Sequence, residues 1–154
     1  MKFVLFSLVL VTSVTACKDR VDSGASTGIE NNYPTLVRIG LFSGLNGVTI
    51  TGQLEIYQDV STLRETFETL NDFQVSGVSG SIQFWLTDNA GSTDLNNSTK
   101  KLLLGVVESS YPGIHSFSIQ SGARSSDYTH AVVFGVAGNK NVGKAQLVLP
   151  LPPG

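Results

Sequence analysis

Apolar and polar side chains alternate with a period of two along most of this chain, and that alternation limits what it can fold into. In residues 48–57, Val48, Ile50, Leu54 and Ile56 share one face of an extended strand, while Thr49, Thr51, Gln53 and Glu55 share the other. Segment 81–87 repeats the scheme with Ile82, Phe84 and Leu86 facing inward. Segment 131–137 is apolar on both faces, as expected of a central strand covered on both sides. Further strands are predicted at 36–42, 63–67, 73–75, 102–107, 115–119 and 145–149. Turn signals separate them: Gly44 to Gly47, Gly77 and Gly80, Asp88 to Gly91, Pro112-Gly113, and Gly138-Asn139. No segment carries a clear helical stripe. The nearest is 61–70, which could instead form a short helix with Leu63, Phe67 and Leu70 on one side. Many short strands punctuated by turns predict an all-β chain with a single antiparallel β-sandwich over residues 34–154. The closing Pro-Leu-Pro-Pro cannot extend a sheet ladder and ends the domain.

The first residues follow different rules. Lys2 gives one positive charge, Phe3 to Val11 is an apolar run, and Thr12 to Ala16 is a small-residue exit, the three parts of a secretory signal. The run falls well short of the roughly 20 residues that span a bilayer as a helix. Val14-Thr15-Ala16-Cys17 resembles the lipobox of bacterial lipoproteins, which implies cleavage between Ala16 and Cys17 and acylation of the Cys17 thiol. The competing reading is ordinary cleavage after Ala16 that leaves a free thiol. One acyl chain holds a protein to a membrane only marginally, so stable anchoring takes the two or three that such chemistry supplies. Cys17 is the sole cysteine, so no internal disulfide can form and the core alone must hold the fold. Residues 1–16 are therefore expected to be a signal peptide and 17–33 a lipid-bearing, solvated tether. The expected location is the bacterial cell envelope, on a membrane whose identity stays open.

Composition narrows the chemistry. Ten basic against twelve acidic residues, with Lys100-Lys101 the longest basic run, gives nucleic acid nothing to bind. Two histidines, His115 and His130, would make a metal pair only if adjacent across strands; the expectation is no metal and no cofactor. The loop Asp88 to Asn97 is rich in oxygen, yet its spacing departs from calcium-loop patterns and reads as a solvated hairpin. Neither a nucleophile elbow nor a phosphate-cradling loop is present, and Glu65 and Glu68 read as a solvated face, so no enzymatic activity is expected. Trp85 stands apart. Alternation puts it beside Gln83 and Thr87, opposite Phe84, where an aromatic either binds something or lies under a loop. With Asp127 and Tyr128 it forms the candidate binding surface for an envelope protein or a small ligand.

Over roughly residues 40–147 the pattern resembles the DM-thirteen domain family of small β-sandwiches. The matching pieces run in order: Gly40 to Ser43, Val48 to Leu54, Asp72 to Val75, Ile82 to Leu86, Leu104-Gly105, Gly113 to Ile119, Ser126 to Tyr128, Val132 to Phe134, and Asn139 to Leu147. The resemblance implies a β-sandwich and an electron-transfer role resting on a strand cysteine. The aligned position here is Gly135, which supplies no thiolate. A Pro-Asp pair usual in that family is Gly80-Ser81 in this chain.

Overall fold

A computed structural model describes residues 33–88, 95 and 98–152. The expected signal peptide, Ala16, Cys17, most of the expected tether and most of the 89–97 segment lie outside the described residues. The described chain is all β. Its strands are β1 (Thr35–Leu41), β2 (Ser43–Gly44), β3 (Thr49–Thr51), β4 (Gln53–Gln58), β5 (Glu65–Thr69) and β6 (Gln74–Ser76). They continue with β7 (Ser81–Thr87), β8 (Lys101–Glu108), β9 (Ser116–Ser118), β10 (His130–Gly135) and β11 (Lys140–Gln146). A four-stranded sheet in the order β1-β4-β5-β9 faces a five-stranded sheet in the order β2-β11-β10-β7-β8, and β3 pairs with β6 in a small third sheet. Every pairing is antiparallel, and the whole is the expected sandwich.

The alternation read from the sequence sets which residues fill it. Leu54, Ile56 and Phe67 from one sheet meet Ile82, Phe84, Leu86, Val133 and Val142 from the other. Phe84 sits at the centre, its ring 5.4 Å from Phe73 and Phe117 and 5.7 Å from Phe67. Clustered rings at these separations add roughly 1 kcal/mol per pair beyond their burial. One side of the sandwich closes where Ile39 bridges Val148 by backbone hydrogen bonds in both directions. On the other side Phe117 lies against Gly105, where an added Cβ would come within 2.2 Å of the ring.

Four details depart from the sequence reading, the first being that the strand expected at 145–149 is instead Lys140–Gln146, with Val148 in an isolated bridge. Segment 48–57 keeps one buried face but is two strands, because Gly52 (φ +107) redirects the chain from β6 to β1 and β5. A Cβ there would lie 2.5 Å from Phe73 Cα, so only glycine fits. Segment 61–70 is a turn followed by a strand. Asp59 Oδ1 accepts from the backbone N–H groups of Ser61 and Thr62, Leu63 takes φ +56, and β5 then buries Glu65, Phe67 and Thr69 on one face. Glu65 and Glu68 consequently point to opposite faces and do not form one solvated face. Glu65 is 6% exposed, with Oε2 accepting from Ser125 N at 2.6 Å. β10 is buried on both faces through Val133, as expected, but it ends at Gly135 and Val136 is exposed.

Candidate functional site

Trp85 lies in the middle of β7, whose inward positions Ile82, Phe84 and Leu86 are filled by the core. The indole therefore belongs to the outer face of the five-stranded sheet, where it is half-buried. Its cross-strand partners are Val132 on β10 and Leu103 on β8. Gln83, the preceding outward residue of β7, pairs with Phe134 and Val106, and its Oε1 accepts the Trp85 Nε1 proton at 3.0 Å. Two rows thus cross the sheet, Leu103–Trp85–Val132 and Val106–Gln83–Phe134. Their β8 ends are open, Leu103 at 43% and Val106 at 51% exposure.

A bulge makes this patch. β8 pairs Gly105 with Phe84 but Leu103 with Trp85, leaving Leu104 as the extra residue. Plain alternation would put Leu103 and Val106 on opposite faces; the bulge puts both outside and turns Leu102, Leu104 and Val107 to the core. The sequence reading did not associate Leu103, Val106 or Phe134 with Trp85. The available signal was Gly105, the one residue small enough to lie under the Phe117 ring.

At one end of the patch, Leu95 and Ser98 from the β7–β8 connection meet residues of the outer face. Ser98 Oγ donates to Thr87 Oγ1 at 3.2 Å, and Lys101 Nζ donates to the Leu95 carbonyl at 3.4 Å. Asp88 closes this hairpin by accepting from Thr99 Oγ1 and from Lys100 N. Those bonds hold its carboxyl below the usual carboxylate value. Ser98 reaches Thr87, and the rows through Trp85 are open at Leu103 and Val106.

Asp127 and Tyr128 stand just before β10, where Thr129 N donates to the Thr87 carbonyl at the end of β7. They end the 3-10 turn Ser125–Asp127; Tyr128 packs against the core while Asp127 is exposed. Burial raises the Tyr128 phenol, and the charges of Asp127 and Asp88 add to the rise. The two histidines are parted. His115 packs edge-on to Phe73 and beside Phe84, on the inner side of the sheet. His130 shares the outer side of β10 with Val132, its Nδ1 2.8 Å from Thr129 Oγ1. Among the described residues no three His, Cys, Asp or Glu side chains gather as a metal site. Gly135 faces inward, where an added Cβ would lie 3.0 Å from Val142 Cγ1 and 3.6 Å from Val78 Cγ1.

In comparisons with known proteins, no family model, no curated protein and no solved structure matches this chain.

Proposed function

We propose that this protein is a lipid-anchored, non-catalytic binding module of the bacterial cell envelope, engaging a partner protein or small ligand through the outer sheet face around Trp85. The observation that supports this reading is the pair of apolar rows through Trp85 and Gln83, open at Leu103 and Val106 on a chain rich in small polar residues. A rigid aromatic in a flat apolar patch is the usual anchor of a binding surface, and its sheet neighbours fix its orientation before any partner arrives. The signal-like head and the placement of Cys17 support delivery to a membrane surface. A redox role of the DM-thirteen kind would need an electron-carrying group from elsewhere, because Gly135 offers none.

Trp85 is the only tryptophan, so the protein's indole fluorescence reports on this face alone. Titrating fractionated envelope extract into the purified protein should shift and saturate that emission. The fraction responsible should be retained by the wild-type chain and lost by at least tenfold with Trp85→Ala, an anchor truncation of at least about 1.4 kcal/mol. Equal retention by wild type and Trp85→Ala would remove this face from the account.

A further inference from the structure

β8 is the edge of the five-stranded sheet, and among the described residues no strand pairs with its outer side. It is eight residues long, contains no proline, and exposes Leu103 and Val106. Long, apolar edges of this kind are normally blunted or covered, since their free N–H and C=O groups invite another strand. Its order of residues, Lys-Leu-Leu-Leu-Gly-Val-Val-Glu, complements itself when reversed.

We propose that β8 pairs antiparallel with β8 of a second copy of this chain, joining two five-stranded sheets into one across a two-fold axis. In the register implied, Lys101 faces Glu108 of the second copy, Leu102 faces Val107, Leu103 faces Val106 and Leu104 faces Gly105. Each contact then occurs twice, as two-fold symmetry requires. The ends carry opposite charges and the outward centre carries aliphatic pairs.

The bulge singles out this register. Lys101, Leu103, Val106 and Glu108 point outward, opposite Thr87, Trp85, Gln83 and Ser81 on β7. Leu102, Leu104 and Val107 point to the core, and Gly105 faces Phe117. Cross-strand partners must share a face. In the stated register all four kinds of pair do. Shifting it by one or two residues sets an outward side chain against an inward one. Without the extra residue at Leu104, Leu103 could not face Val106. At one end Ser81 also orients Glu108, its Oγ donating to Glu108 Oε1 at 2.8 Å.

The pairing stands independently of any ligand. It would nonetheless join the Trp85 row of each copy end to end with the Gln83 row of the other, with three strand spacings, roughly 14 Å across the strands, between the two β7 strands.

Zero-length coupling with a carbodiimide tests the register, using the full chain purified in detergent. Within one copy, Lys101 and Glu108 stand seven residues apart on a strand, roughly 23 Å, so an amide between them can form only between copies. Mass spectrometry of the coupled band should find the Lys101–Glu108 peptide. Sedimentation should show that Lys101→Glu and Glu108→Lys each weaken the dimer by roughly tenfold or more, because two attractive pairs become two repulsive ones. The doubly reversed chain should recover the wild-type constant, while all variants keep the wild-type circular dichroism spectrum of a folded β protein. A monomer throughout, coupling at other positions only, or failure of the double reversal to rescue would each overturn the proposal. Occupation of this edge by a different protein would appear as the first of these outcomes.

Discussion

Burial holds the His130 imidazole below its ordinary value of 6.5, and the nearby charge of Lys144 pushes it the same way. Thr87 and Gln146 face it across β7 and β11, and Thr129 Oγ1 lies at its Nδ1. The fold thus favours the neutral ring. Its contribution to stability is complete above pH 6.5 and is lost as pH falls through the lower folded value. Melting temperature should drop between pH 7 and pH 5, and His130→Gln should flatten that drop; an unchanged slope would assign the acid sensitivity to other groups. At this scale the sequence was partly readable. That Trp85 stands opposite Phe84 follows from counting by two. That Glu65 is buried does not, because its donor, Ser125 N, comes from sixty positions further along the chain.

Among the strands, the two adjacent ones built on residues 48–57 depend on a backbone that only glycine can adopt. Gly52→Ala would place a methyl group against Phe73 Cα and force an L residue into φ +107. Adding strain and overpacking, we expect a loss of roughly 2–4 kcal/mol, read as a lower denaturant midpoint with little change in slope. Gly47→Ala is the informative contrast: it also has positive φ but meets nothing within 4 Å, so it should lose only the backbone part. Equal losses would show that contact with Phe73 is unimportant. Strand existence and inward faces were legible wherever polar and apolar residues alternate cleanly, as in β4 and β7. The breaks were not. A bulge such as Leu104 is a two-against-one arrangement between strands, and a single strand's residues do not declare it. The short helix open for 61–70 gave way because the Asp59 turn ends at Leu63 and leaves a period-two remainder.

For the whole molecule, sandwich architecture was legible and strand order was not: β11 lies between β2 and β10, joining residues about a hundred positions apart. Such nonlocal pairing leaves no local mark. The anchoring we propose has its own check. Labelling growing cells with a palmitate analogue should tag the wild-type protein and not Cys17→Ser, whereas persistent labelling of the variant would defeat the lipoprotein reading. The Ile39–Val148 bridge carries a practical consequence for every such experiment. Because that pairing is antiparallel, the chain enters at Tyr33 and departs through Leu149 and Pro150 at the same end of the sandwich, beside the Asp59 turn. The turns at Asn46–Gly47 and Gly138–Asn139 stand at the opposite end. The domain has one handle, not two: a fusion or support joined to its C-terminal side grips it where its N-terminal segment does, and either attachment presents the same far end to solution.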